Sequence, residues 1–339
     1  MQSITLKDAD VILSEIKKAT SILLHLHPSP DGDSAGSTLA LAHALIGMGK
    51  KATVIKGDSN LPGHLSMLPG FNTIVEKNYF ETDLSEFDLF IILDASALGQ
   101  ISRIKEVTFP PNLKTIVIDH HASNPGFADI NLVEPAIPAA CQILYELLTS
   151  WNVPITSEIA ECLFVGIYTD TALKYPGTTA RTYEIVAKLI EKAPNFTDLI
   201  AGIENSNTKG RLMLEALMLN SIEMHFSDSV AFASASFDEM QKKGIIDDDT
   251  HGSGTANTLV SVIGWEVGVT FIEQKPGVVK LSFRTRDSSR FDLSKVAVVL
   301  GGGGHKGAAG AEIRGTMAEA KEATLRALAS SYSELTQPV

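Results

Sequence analysis

Cysteine is scarce in this chain. Cys141 and Cys162 are the only two in 339 residues. Both lie in apolar, helix-like surroundings, which points to packed core thiols rather than a disulfide or a metal pair. Long apolar runs are missing too. No uninterrupted stretch of about 18 apolar residues occurs, so a membrane-spanning helix is not expected. The opening segment, MQSITLKDADVILSEIKKAT, carries charges throughout and lacks the basic, apolar and small-residue plan of a secretion signal. A cytoplasmic protein is therefore expected. Basic residues are in deficit: 28 Lys and Arg stand against 40 Asp and Glu, for a formal charge of −12. Binding long duplex nucleic acid needs many phosphate-neutralising cations, so that partner is not expected either. A small phosphorylated ligand, held by metals and a few local cations, stays compatible. Internal repeats and low-complexity tracts do not stand out.

What remains is an ordinary globular composition, 44% apolar and 20% charged. The length suggests two domains. In the first half, strand-like and helix-like segments alternate. SILLHLH (21–27), KATVIKG (51–57), DLFIILDAS (88–96) and TIVIDHH (115–121) read as strands. Residues 34–50, 139–151 and 157–171 have helical periodicity. Near-continuous apolar strands in βαβα order predict a parallel sheet with helices on both faces. Such sheets place ligands beyond the C-terminal ends of their strands. Residues 178–225 read as helical. SVAFASASF, WEVGVTFIEQKPGVVKLSFRTR and AVVLGGGGHKGAAGAEI then suggest a smaller α/β domain with a mixed sheet, closed by a helix from Met317. The expected division is 1–190, a helical connector at 191–225, and 226–339.

The ends of these elements carry the chemistry. The first strand leads into His27, Asp31 and Asp33, a later one into Asp94, and the next into Asp119, His120 and His121. A helix-like segment ends at Asp170. Singly, each has an ordinary reading: Asp-Gly-Asp is common in turns, and an Asp at a strand end often caps a helix. Together, in order, they would converge along one edge of a parallel sheet. Converging carboxylates repel and lose hydration, which drives their pKa values up unless a cation is present. Asp31, Asp33, Asp94 and Asp170 sum to −4, a charge that two divalent ions balance. Mixed oxygen and imidazole ligation suits manganese, with cobalt or iron also fitting. A carboxylate shared between two ions should come from a central strand, which makes Asp94 the candidate.

HPSPDGDSAGS, LDAS, IDHHASN and YTDT resemble the four ordered motifs of the DHH phosphoesterases, and GGGGHKGAAG resembles the glycine-rich motif of the DHH-associated C-terminal domain. The resemblance covers roughly residues 20–315. In length the chain is similar to the group of bifunctional oligoribonucleases and 3′-phosphoadenosine 5′-phosphate (pAp) phosphatases. The resemblance implies two divalent ions, manganese first, with cobalt, iron or magnesium as alternatives. One would be held by His27, Asp31 and Asp94, the other by Asp33, Asp94, His120 and Asp170. It implies catalytic roles for Asp94 and His121, the latter facing the substrate phosphate. Asp119 would orient a neighbouring imidazole, Asn124 would support the site or position substrate, and Arg103 would contact substrate. A structural ion pair explains Arg103 equally well. In the C-terminal domain, Arg284, Arg286, Gly302, Gly303, Gly304 and His305 would bind substrate phosphate. Glycine lets backbone N–H groups come close to phosphate oxygens. The chain departs from many relatives in DTALKYPGTT, where a glycine and an aromatic are frequent.

The implied function is hydrolysis of short oligoribonucleotides to mononucleotides, of pAp to AMP, or of both, by a two-metal-activated hydroxide. The implied partner is short single-stranded RNA or a small phosphorylated nucleotide, with a homodimer left open. Alternatives within the same chemistry are a phosphodiesterase for cyclic di-AMP or pApA, and a pyrophosphatase or exopolyphosphatase. A non-catalytic nucleotide sensor is the reading from another class. The full set of six metal-ligand candidates argues against the sensor, and the GGGGH segment argues against the pyrophosphatase.

Overall fold

Short apolar runs bounded by Asp, Gly and Pro set the strands. The computed structural model describes residues 6–175, 177–250 and 254–336; residues 1–5 of the helix-like opening segment lie outside them. The chain divides into two compact units, Met1–Ser206 and Asn207–Val339.

The first unit contains α1 (Leu6–Lys18), β1 (Ser21–His25), α2 (Gly32–Gly47), β2 (Lys51–Ile55), β3 (Leu89–Leu93), β4 (Lys114–Asp119), β5 (Ile130–Val133), α3 (Ala140–Ser150), α4 (Ser157–Thr171), α5 (Ala180–Ile190) and α6 (Phe196–Glu204). Its strands form one sheet in the order β2-β1-β3-β4-β5, and every pair is parallel. β3 is the middle strand. The order reverses at β1, which has β2 on one side and β3 on the other. Ligand sites of open parallel sheets lie beyond the strand ends at such a reversal. β5, a four-residue edge strand, was not expected, because INLV is short and only half-buried.

Side chains alternate across the sheet. Ile22, Leu24, Ile91, Leu93, Ile116 and Ile118 pack with apolar residues of all six helices. Leu23, Phe90, Ile92 and Val117 point the other way and meet Tyr79, Phe87, Ile101, Val107 and Leu113. The α-helices thus gather on one face, not on both as expected. The second face is covered by short 3₁₀ turns at Tyr79–Glu81, Leu84–Glu86 and Leu98–Gln100 and by irregular chain. The reason is local. Residues 74–88 and 94–113 lack a sustained apolar stripe at helical spacing, and Pro110-Pro111 removes two backbone donors.

The second unit contains α7 (Lys209–Asn220), β6 (Glu223–His225), β7 (Val230–Ala235), α8 (Phe237–Lys242), α9 (Asp247–Thr250), α10 (Thr255–Val260), β8 (Val267–Lys275), β9 (Val278–Thr285), α11 (Leu293–Val299), β10 (Gly303–Gly304), β11 (Ala308–Arg314) and α12 (Met317–Ser331). The sheet order is β10-β11-β9-β8-β7-β6, with β7–β8 parallel and the other pairs antiparallel. The apolar segment before the glycine run is a helix, α11, and the end of the helical stretch at 223–225 is a strand. The 191–225 stretch, expected as a connector, is shared between the units. Leu199 of α6 packs into the first core, whereas Leu214 and Met218 of α7 pack against β7.

Candidate metal centre

The site is built at the strand ends of the first unit. Beyond β1 the chain passes through His27, which is buried. Its backbone N–H donates to Ser34 Oγ (3.3 Å), and its Nδ1 lies 3.1 Å from the Pro28 carbonyl. A carbonyl only accepts, so that contact puts a proton on Nδ1. Nε2 then faces Asp31 Oδ2 at 3.7 Å and Asp94 Oδ2 at 3.5 Å. Gly57, after β2, backs this segment: a Cβ there would lie 2.6–2.8 Å from the Leu26 and His27 carbonyl groups.

Asp-Gly-Asp is not a free turn. Asp31 caps α2, with Oδ1 accepting from the backbone N–H groups of Asp33 (3.1 Å) and Ser34 (3.0 Å). Asp33 sits in the first turn of α2 and is fully buried. Its Oδ2 accepts from Ala140 N at 2.6 Å and its Oδ1 from Cys141 N at 2.9 Å. These are the opening amides of α3, whose own cap position, Ala139, supplies no side-chain acceptor. Asp33 fills that role across the fold, and the positive end of α3 favours its charge. Close approach of α4 makes this possible. A Cβ on Gly166 would meet Cys141 Sγ at 2.2 Å and Asp33 Oδ1 at 2.8 Å.

Asp94 directly follows the middle strand. Its N–H continues the sheet by donating to Ile118 O (3.1 Å), yet its φ is +52°, a left-handed conformation that is strained for a side chain with a Cβ. Oδ1 is buried with no hydrogen-bond partner. His120 Nε2 lies 3.4 Å from Asp94 Oδ1, 3.4 Å from Asp170 Oδ2 and 3.9 Å from Asp33 Oδ2. Asp170 reaches this point from the last turn of α4. His121 Nδ1 donates to Asp119 Oδ1 at 2.7 Å, a contact that fixes the orientation of the ring. Asn124 lies against Asp119. Its Nδ2 donates to Asp119 Oδ2 (2.7 Å) and Ala95 O (3.1 Å), and its Oδ1 accepts from Gly126 N (2.8 Å). With both amide hydrogens engaged, Asn124 braces Asp119.

Three sets of donor atoms lie within 4.8 Å of one another: His27, Asp31 and Asp94; Asp33, His120 and Asp170; and Asp94, His120 and His121. Burial, reinforced by Asp94, pushes the Asp33 carboxyl up to about 7, and burial beside Asp33 and Asp31 holds Asp170 well above the usual carboxylate range. Burial also disfavours charge on the two imidazoles, but the carboxylates outweigh it. Asp94 and its acidic neighbours lift His120 to about 10, and Asp31 with Asp94 lifts His27 well above normal. Burial opposes the charge of Asp94 as well, yet the His120 and His27 rings hold it below the usual range. Protons on these rings neutralise the carboxylates. Divalent ions fit in their place: the His27 tautomer presents Nε2 to two carboxylates, and Asp94 Oδ1 is a buried oxygen without a donor.

Several contributors carried no sequence signal beyond their residue type: the Ala140 and Cys141 amides, Gly57, Gly166 and Asp58. Asp58 Oδ1 accepts from Ser102 Oγ and its Oδ2 from Arg103 N. Arg103 itself is exposed, and its guanidinium makes no ion pair among the described residues, so a structural ion pair does not account for it.

The remaining predicted residues lie in the second unit. Arg284 on β9 is paired in register with Ala308 of β11, and β11 pairs with the glycine strand β10. Arg284 Nε donates to Asn257 Oδ1 (3.1 Å) and Nη1 to Phe283 O (2.9 Å). Arg286 Nη1 donates to Val262 O (3.0 Å). His305 is exposed, and its N–H donates to Ala308 O (2.8 Å). The glycines have separate reasons. A Cβ on Gly302 would lie 2.0 Å from Gly310 O, and one on Gly304 would lie 2.6 Å from Ala309 Cα. Their small size is demanded by β11. At Gly303 a Cβ would meet nothing within 4 Å.

Residues 21–167 match the DHH family, N-terminal domain, and residues 245–334 match the DHHA1 domain. Over 332 residues the chain is 29% identical to the bifunctional oligoribonuclease and PAP phosphatase NrnA of Thermus thermophilus, covering 96% of this chain and 94% of that protein. It is 25% identical to the Bacillus subtilis protein of the same name over 312 residues, 89% of this chain and 92% of that one. Among solved structures, an exopolyphosphatase-related protein from Bacteroides fragilis superposes with a TM-score of 0.88 at 27% identity, covering 99% of this chain and 100% of that chain.

Proposed function

The chain belongs to the DHH family, and from that premise we propose that it is a metal-dependent hydrolase that converts short oligoribonucleotides to mononucleotides and pAp to AMP. Relatives named for these two activities match it over nearly their full length. The observation that carries the reading is Asp94. From the middle strand it sends Oδ2 toward His27 and Oδ1 toward His120, one oxygen to each of two donor sets.

In this reading His27, Asp31 and Asp94 hold one divalent ion, and Asp33, Asp94, His120 and Asp170 the other. Mixed carboxylate and imidazole donors make manganese the proposed metal. Bound there, the ions would supply Lewis acidity, lowering the pKa of water and neutralising phosphate oxygens. The protein's groups do the rest. Asp33 is held still by the α3 amides, and Asp119 fixes the His121 ring through Nδ1. A proton on His121 Nε2 is then the one that can pass to the leaving oxygen. Arg284, Arg286, Gly303 and His305 are proposed to bind substrate. Gly303 is the glycine whose missing Cβ the fold does not otherwise require. The acidic chain suits short substrates over long duplexes, and two buried free thiols suit a reducing cytoplasm.

The test is a manganese-dependent assay of an RNA dimer, pAp, pApA, cyclic di-AMP and pyrophosphate side by side. The RNA dimer and pAp should give the highest kcat/KM. A clear preference for cyclic di-AMP or pyrophosphate would overturn the assignment.

A further inference from the structure

The exits of β2 and β3, the strands on either side of β1, are tied together above the exit of β1. The tie is Asp58, which follows β2. Its Oδ1 accepts from Ser102 Oγ at 2.8 Å and its Oδ2 from the Arg103 backbone N–H at 2.6 Å. Ser102 is buried, and its Oγ accepts in turn from Ile104 N (3.2 Å). Further back along the same segment, Gln100 Oε1 accepts from Ser96 N (2.5 Å) and Ser96 Oγ (2.9 Å), and Gln100 O lies 3.2 Å from Nε2 of the buried His25. Residues 94–104 therefore form an arch fixed at Asp94, at His25 and at Asp58. The arch crosses the strand end that delivers His27.

We propose that Asp58 is a positioning residue for Arg103: by holding the Arg103 backbone beside the exit of β1, it directs toward substrate phosphate the arginine that the family resemblance already places at the substrate. The inference rests on the phosphoesterase reading and adds a residue to it. Both Asp58 oxygens are engaged by the loop backbone and Ser102, so this carboxylate holds the loop and forms no ion pair with the guanidinium. Arg103 is exposed and makes no ion pair among the described residues, although Asp and Glu outnumber Lys and Arg in the chain. A planar guanidinium can take phosphate through two parallel hydrogen bonds, and a fixed backbone reduces the ordering cost of doing so.

The experiment uses the full-length, manganese-loaded protein as wild type, Asp58→Ala, Asp58→Asn, Arg103→Ala and the double variant Asp58→Ala/Arg103→Ala. With pAp, Asp58→Ala and Arg103→Ala should each raise KM roughly tenfold, the size of one charge-assisted hydrogen bond, with kcat changed by less than about twofold. The double variant should be no worse than Arg103→Ala. Manganese affinity by calorimetry should match wild type in all of them. Asp58→Asn keeps one acceptor and should fall between, and it serves if Asp58→Ala does not fold. Multiplying KM effects in the double variant, or a changed manganese affinity in Asp58→Ala, would overturn the positioning role. If the wild type hydrolyses neither pAp nor the RNA dimer, the functional reading fails on its own. The pair is then judged by titrating inorganic phosphate into the loaded protein. Arg103→Ala and Asp58→Ala should weaken that binding by similar factors, and unchanged binding in Arg103→Ala would sink the proposal.

Discussion

The two units carry their polar chemistry in opposite ways. In the first, ionisable groups are buried in a cluster: Asp33 and Asp94 are almost wholly shielded, and His27 and His120 nearly so. In the second, Arg286 and His305 are exposed, and Arg284 is anchored by Asn257 and a backbone carbonyl. A buried cluster survives only if its charges cancel, so it is intolerant of losing any member. An exposed cation costs little to keep and contributes mainly when a ligand arrives. Loss of a member of the first unit's buried cluster should therefore abolish function, and loss of an exposed cation in the second unit should weaken binding.

The largest effect should come from Asp94→Ala, which removes the carboxylate facing both donor sets. Turnover of an RNA dimer with manganese should fall by about a thousandfold or more, as expected when metal-assisted chemistry is lost. Activity near that of the wild type would end the account based on a shared carboxylate.

Metal removal should expose the same contrast in stability. Without metal, the surrounding carboxylates outweigh burial and lift His120 to about 10, and burial lifts Asp33 to about 7, both above the ordinary range of an imidazole and a carboxyl. A folded pKa above the unfolded one stabilises fully below the unfolded value and is lost as pH rises through the folded value. The chelated protein should therefore lose thermal stability as pH rises through about 7 and on toward about 10. Manganese at a hundredfold excess over its Kd should restore about 2.7 kcal/mol. Midpoints from scanning calorimetry that stay level with pH after chelation would mean that protons do not substitute for metal.

Smaller effects belong to the second unit. Arg284→Ala should raise KM for pAp roughly tenfold with kcat nearly intact, as for the loss of one charged hydrogen bond. An equal fall in kcat would place it with the first unit's groups. Gly303→Ala should leave thermal stability within about 0.5 kcal/mol of wild type, because open space receives the methyl group. Gly302→Ala meets backbone and should cost several times more. A KM rise in Gly303→Ala without a stability change would mark substrate approach at that residue.

Much of this was legible because the signals were local. Apolar runs ending in His27, Asp94 and His120 announced both the strands and what lies beyond them. Asp119 beside His121 was legible for the same reason. The pairing of Asp33 with the amides at 140 and 141, the clamp of Asp58 on Arg103, and the Asn257 contact to Arg284 were not. Each joins residues distant in sequence, and none has a distinctive residue type or spacing. The Asn124 contacts to Asp119 and Ala95 become visible only once two strand exits lie side by side. The bare second face of the sheet was missed because parallel strands usually have helices on both sides, while here the crossing segments lack helical periodicity.

The sequence by itself determined the alternation of strand and helix, the parallel sheet, and the set of acids and histidines at its edge, since periodicity and strand-end chemistry are written residue by residue. Tertiary structure decided which of those groups face one another, which are already engaged, and which side chains hold them in place. Convergence depends on strand order and on helix packing as close as the contact allowed by Gly166, and these follow from the whole core rather than from any one segment.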